Sequence, residues 1–415
     1  MTLSVRAFPL ASELQDDARY RDLLDDYASI LKGLGIEVSN TIKSASHLEG
    51  VDLSAVRVAI LIFLTGGTSR LAKLLAKRVG RNTPLLLVAH GFHNSLPSAL
   101  STKAALSAEG HKHALLFTNT VREESSKIRA GIMAAKAVSD IASMRVVVLA
   151  EDRVGHDEVS PVESRFGLRT LGVRFEELRG FIEGLGSNEV EDALARLRSR
   201  VDAVGYWGET ISAPIKLYLA LKRMLKRYDA NAVAVDCYPF IARYGFTPCI
   251  AISMLNDEGI PAACEADLRS LVLLRASLTL AGKPGWVANL CSVDGDRFVL
   301  AHCTVATELT TTSLLLPHFE TGRPVAISGT LKPGTYVVAA VSRDCSTLTL
   351  GMAELLETGM LSGGRCRTQA VLRLKARTDN PLRWAVGNHH VVMPLRSADS
   401  LAHVAELFGM RVVAL

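Results

Sequence analysis

Three polar positions stand out in the apolar C-terminal half of the chain. Glu265 lies in Pro261-Ala-Ala-Cys-Glu-Ala-Asp267, Asn289 in Trp286-Val-Ala-Asn-Leu290, and His389 in Val386-Gly-Asn-His-His390. A carboxylate, a carboxamide oxygen and an imidazole that converge on one cavity can hold a divalent cation. Glu265 and Asp267 open a helix with an apolar interior, where the dipole favours a carboxylate. The small residues Ala262, Ala263 and Cys264 imply a partly buried setting. There an ionised carboxylate needs a cation, a metal or strong donors. Successive side chains on an extended segment face opposite ways, so at most one of His389 and His390 faces a given cavity.

Further polar groups sit at predicted strand ends. Asp236 closes an apolar strand before Cys237-Tyr-Pro239, where a carboxylate orients a ligand or caps a turn. His302, in Leu300-Ala-His-Cys-Thr-Val305, either lines the same cleft or is a hydrogen-bonded core histidine. Nearer the N-terminus, Thr65-Gly-Gly-Thr68 occupies a strand-to-helix turn whose amides can hold an anion or a sugar hydroxyl. It lacks the lysine of a P-loop, and a plain tight turn is an equal reading. Ala89-His-Gly-Phe-His-Asn-Ser-Leu-Pro97 places His93 and Asn94 in a second strand-end loop. Asn94 or Ser95 also suits a helix cap there. Together with Trp286, beside Asn289, the residues His302, Asn94, His93 and Thr65 are the candidate sugar contacts.

The elements that must position these groups follow from periodicity. Residues 1–150 alternate apolar strands with helices; Val58–Leu64 is a continuous apolar run of the kind buried in a parallel sheet. The polar stretch Glu151–Pro161 reads as a crossover, and a second α/β unit follows over residues 151–285. From Trp286 to residue 415 the texture changes to short Val-, Thr- and Leu-rich runs. These are separated by turn signals at Asp294-Gly295, Lys332-Pro-Gly334, Ser362-Gly-Gly364 and Asp379-Asn-Pro381. They predict an antiparallel sheet or small barrel, closed by a helix at Ser400–Phe408 and a strand at Arg411–Ala414. The expected fold is α/β: two Rossmann-like parallel-sheet domains (1–150 and 151–285) followed by a mainly antiparallel β domain (286–415).

Composition narrows the function classes. The chain has 415 residues, 48% of them hydrophobic, and a net charge of +5. No run reaches the roughly 18 uncharged apolar residues of a membrane helix. The opening Met1–Arg6 lacks signal-peptide features. The charge is diffuse, and Lys222-Arg-Met-Leu-Lys-Arg227 suits the C-terminal end of an amphipathic helix. Neither a nucleic-acid nor a membrane partner is expected, and the location expected is cytoplasmic. Seven cysteines, with no CxxC pair, fit buried apolar residues in a reducing compartment.

Over most of its length the chain resembles the L-fucose/L-arabinose isomerase superfamily, nearer the fucose isomerase side. The resemblance rests on Thr65-Gly-Gly-Thr68, Asn94-Ser-Leu-Pro-Ser-Ala99, Gly259-Ile-Pro-Ala-Ala-Cys-Glu-Ala-Asp267 and Val386-Gly-Asn-His-His-Val391. It implies a cation, usually Mn2+ (or another such as Mg2+), held by Glu265, by Asn289 where the family has Asp, and by His389. It further implies aldose–ketose isomerisation of a sugar through an enediol, with Glu265 as base and Asp236, Asp267 and His302 as auxiliary groups. A homo-oligomer, trimer or hexamer, is implied as well. Asn289 offers a neutral oxygen but accepts no proton, and it removes one negative charge from the site. Other expectations from the same residues are a different enolisation-dependent sugar enzyme, a lyase or epimerase, and a non-catalytic sugar-binding protein.

Overall fold

The computed structural model describes residues 4–152, 156–202, 209–376, 382 and 385–414. The turn expected at Asp379-Asn-Pro381 lies outside them. The chain divides into two compact units: Met1–Asp140 with Asp399–Val412, and Ile141–Ala398 with Val413–Leu415. Among the described residues no helix is long and apolar enough to cross a membrane.

The first unit is built on a parallel sheet. Its strands are β1 (Ser4–Leu10), β2 (Glu37–Val38), β3 (Val56–Phe63), β4 (Leu85–His90) and β5 (His113–Thr118), in the order β2-β1-β3-β4-β5. The apolar run read from the sequence is β3, buried along nearly its whole length. Leu61, Phe63, Leu87 and Ala99 share its core. Each fully buried Leu or Phe contributes about 1.5–3 kcal/mol. The helix Asp399–Leu407 returns to this unit and packs on β5.

The second unit holds a smaller parallel sheet and an antiparallel barrel. The small sheet comprises β6 (Arg145–Ala150), β7 (Arg169–Arg174), β8 (Ala232–Val235) and β9 (Ala262–Ala263), in the order β7-β6-β8-β9. The barrel strands are β10 (Trp286–Asp294), β11 (Arg297–His302), β14 (Thr335–Val341), β15 (Thr347–Gly359), β16 (Thr368–Leu374) and β17 (His389–Met393). Between β11 and β14 the strands β12 (Thr310–Leu316) and β13 (Ala326–Leu331) form a separate antiparallel pair. The run β14-β17-β10-β11-β16-β15 closes through a direct β14–β15 pairing, which removes the free edges that an open antiparallel sheet would expose. The α/β class with parallel sheets followed by an antiparallel β region is therefore the observed one.

One helix ties the small sheet to the barrel. Leu268–Ala281 packs against β8, β9, β14 and β17, and its Leu271, Leu274 and Ala276 are buried. Asp267 caps its N-terminus, and Gly282 ends it in the left-handed conformation at φ 66°. The polar stretch read as a crossover is largely a helix, His156–Phe166, with Pro161 inside it.

Candidate metal centre

The site begins at the ends of two neighbouring parallel strands. Val233 pairs with Ala262 and Ala234 with Ala263, so the chain leaves β8 at Asp236 and β9 at Cys264-Glu265 side by side. Ligands of α/β sheets collect beyond such carboxyl ends. Glu265 and Ala266 then adopt left-handed conformations, at φ 55° and 50°. For residues with a Cβ this costs about 1–2 kcal/mol each. The turn is secured by hydrogen bonds from the Ala266 amide to the Val235 carbonyl and from the Asp267 amide to the Cys264 carbonyl, both 3.0 Å. It delivers Glu265 and Asp267 to the mouth of the barrel.

The barrel supplies the imidazoles. His302 is the last residue of β11 and His389 the first of β17, on either side of β10. Their rings meet at 61° with centroids 5.6 Å apart. Glu265 Oε1 lies 3.9 Å from His302 Nε2 and 3.6 Å from His389 Nε2. One ligand atom from each of Glu265, His302 and His389 falls within 4.8 Å of the others, a spacing one cation can bridge. Asp267 stands behind His389 and accepts the hydrogen bond of its Nδ1–H at 2.8 Å. Its carboxylate also accepts from the Ser270 hydroxyl (2.6 Å) and the amides of Arg269 and Ser270 (3.0 and 3.1 Å). A carboxylate behind a histidine fixes the tautomer and leaves Nε2 as the donor toward the site.

Charge and burial agree with this arrangement. Burial pushes the His302 imidazole down to about 4, with His389 adding to the effect, so the neutral ring is favoured near neutral pH. Burial opposes the charged form of His389, but the bond to Asp267 and the nearby Glu265 outweigh it and raise the group to about 9. Asp267 is held at about 2: His389 and Ser270 overcome a large burial penalty. Glu265 is lowered in the same way, as His389 and His302 outweigh burial. His302 Nδ1 and His389 Nε2 are buried without a hydrogen-bond partner among the described residues. A carboxylate with two imidazoles at this spacing is a donor set that fits a divalent cation.

A pH dependence follows. Without a cation, the raised pKa of His389 contributes stability that is complete below its ordinary 6.5 and lost as the pH climbs to about 9. Asp267 acts in the opposite sense: its contribution is complete above 3.8 and lost as the pH falls toward about 2. Thermal melts of the cation-free protein should show Tm declining between pH 6.5 and 9, and His389→Gln should abolish that decline. A Tm that holds constant or rises across this window would show that the His389–Asp267–Glu265 pairing adds nothing.

The other candidates fall in different places. Asn289 is the ladder partner of both His389 and Ala301, and its Oδ1 accepts a hydrogen bond from Asn388 at 3.0 Å. Asp236 is half-buried, and burial followed by the Glu265 charge raises its pKa. Trp286 is buried and donates its indole N–H to the Thr304 carbonyl at 2.9 Å, so its one polar atom is committed. His390 is buried, with Nδ1 against the Asn388 carbonyl at 3.2 Å.

Thr65, His93 and Asn94 belong to the first unit. Thr65 accepts the Ser12 amide at 2.8 Å, and the Gly66 amide bonds the His93 carbonyl at 2.6 Å. A Cβ on Gly66 would meet Asn94 Cβ at 2.7 Å, so this close contact requires glycine. Asn94 occupies the helix-cap position at φ 57°, but its side chain makes no capping bond.

The cavity beside the trio measures about 310 Å³ and is lined by Glu265, Asp267, His389, Asn388, Arg269 and Glu158, among others. The sequence did not single out Asn388, Arg269 or Glu158. Nothing in their spacing marks them, since Glu158 and Arg269 meet only through the packing of two helices far apart in the chain.

No protein-family model matches the chain. Two characterised proteins share weak similarity with it. The sulfoquinovose isomerase of Clostridium sp. (strain MSTE9) is 25% identical over 252 residues, covering 58% of this chain and 55% of that protein. The sulfoquinovose isomerase of Alkalicoccus urumqiensis is 24% identical over 226 residues, 51% and 49% of the two chains. The chain thus spans about half the length of these relatives.

Proposed function

We propose that the protein is a metal-dependent sugar ketol-isomerase. The observation that carries this reading is the convergence of Glu265, His302 and His389 within 4.8 Å, with Asp267 behind His389. The similarity to two sulfoquinovose isomerases supports the same class of reaction.

Aldose–ketose isomerisation moves a proton between C1 and C2 and needs a base and a means of stabilising negative charge on oxygen. A divalent cation held by Glu265, His302 and His389 would polarise the substrate carbonyl and stabilise that charge. The residues supply the rest. Asp267 keeps His389 in the tautomer whose Nε2 faces the site. Glu265 offers a carboxylate at the cavity wall to accept the carbon-bound proton. Asp236, beside it on the neighbouring strand end, has a raised pKa and so holds a proton to higher pH than an ordinary aspartate, as a group that relays protons in the site must. Asn289 adds a neutral oxygen near His389 without the basicity of a carboxylate.

The test is conversion of a panel of aldohexoses, neutral and 6-substituted, by protein stripped with chelator and then reloaded with Mn2+. The proposal expects ketose formation only after reloading, with solvent deuterium entering at the carbon that gains the proton. Equal turnover by the stripped protein, or no ketose from any sugar, would refute it.

A further inference from the structure

A second cavity, about 220 Å³, adjoins the metal-centre cavity and shares Glu158, Asp267, Arg269, Asn388 and His389 with it. It adds Arg343, in the turn that follows β14. Here two guanidiniums share one carboxylate, one at each oxygen. Arg269 Nη1 lies 3.1 Å from Glu158 Oε2, and Arg343 Nη2 lies 2.7 Å from Glu158 Oε1. Asp267, 3.8 Å from Arg269 Nε, is already committed to His389, Ser270 and two amides.

We infer that Arg269 and Arg343 bind a terminal sulfonate or phosphate of the sugar, which takes the place of the Glu158 carboxylate between them. This inference rests on the isomerase reading and names the substrate class for it: an aldose or ketose with a tetrahedral oxyanion at the end remote from the carbonyl. The geometry supports it in three ways. Each Glu158 oxygen serves a different guanidinium, so two oxygens of a sulfonate or phosphate can make the same two charge-assisted bonds and leave one oxygen over. The side chains of Glu158 and Arg343 are 40% and 75% exposed, so their ion pair adds little to stability and its exchange costs little. The adjoining cavities let one molecule present its carbonyl end to Glu265 and His389 and its anionic end to the arginines.

The experiment measures kcat and KM of the Mn2+-loaded protein for a neutral aldohexose, its 6-phosphate and its 6-deoxy-6-sulfonate. The inference expects Arg343→Ala to lower the kcat/KM ratio of anionic over neutral sugar by about tenfold or more, mainly through KM. Glu158→Gln removes the competing carboxylate and should move that ratio the other way. Whichever anionic sugar has the lower KM identifies the group. An unchanged ratio in both variants would overturn the inference while leaving the isomerase reading intact. If no sugar is turned over, the isomerase reading fails instead, and calorimetry decides the arginine assignment. Binding of the 6-phosphate or 6-sulfonate that weakens about tenfold in Arg343→Ala supports it; no binding, or equal binding by the variant, refutes it.

Discussion

Glu265→Gln is expected to form ketose about a thousandfold more slowly than the unaltered protein, the scale of a lost general base. The substitution keeps the side-chain shape and a neutral oxygen on the wall of the cavity. It removes the charge that balances His389, and it removes the only carboxylate of the trio. The fold should survive, because the turn at Glu265–Ala266 is held by backbone bonds from Ala266 and Asp267 and not by the Glu265 carboxylate. The measurements are turnover of the Mn2+-loaded variant beside its circular dichroism and Tm. Full turnover would exclude Glu265 as the base, whereas a folded, metal-loaded, inactive variant would assign it.

His302→Ala should raise the Kd for Mn2+ by at least about a hundredfold. Disturbing a group that only orients a ligand costs roughly 10–100-fold, so removing a direct donor should reach the top of that range. The sequence alone favours Asn289 in this place, whereas the structure brings the imidazole of His302 within reach of Glu265 and His389. Asn289→Ala is therefore the informative comparison. Its Oδ1 already takes a hydrogen bond from Asn388, so its removal should raise the Kd less than His302→Ala does. Equilibrium titration with Mn2+ distinguishes the two, and a larger loss in Asn289→Ala would return the ligand role to that residue.

The parts of this molecule that could be read from its sequence are those governed by local periodicity. The apolar run at Val58–Leu64 marks a buried parallel strand because both its faces are covered. The turn-punctuated Val- and Thr-rich runs after Trp286 mark antiparallel strands. Their closure into a barrel depends on the β14–β15 pairing, which is a matter of register and not of composition. Glu265 could be picked out as a carboxylate among small residues, but its left-handed turn could not. Neither Glu265 nor Ala266 is a residue that signals positive φ, and the conformation is imposed by bonds to β8 and Cys264. The placement of Asp236 beside Glu265 depends on a strand of only two residues, Ala262–Ala263, too short to leave a periodic signal. His302 was ambiguous for a similar reason: a strand-end histidine becomes a ligand only when a second strand brings another imidazole to it. The return of the helix Asp399–Leu407 to the first unit is a long-range contact that no local pattern encodes.

The most direct test of the central claim is pulsed electron paramagnetic resonance of the Mn2+-loaded protein, read for nitrogen couplings to the metal. The structure predicts two histidine nitrogens on one ion, with one coupling lost in His302→Ala and the other in His389→Ala. A single coupling that survives His302→Ala, or none at all, would contradict the assignment of Glu265, His302 and His389 to one metal centre.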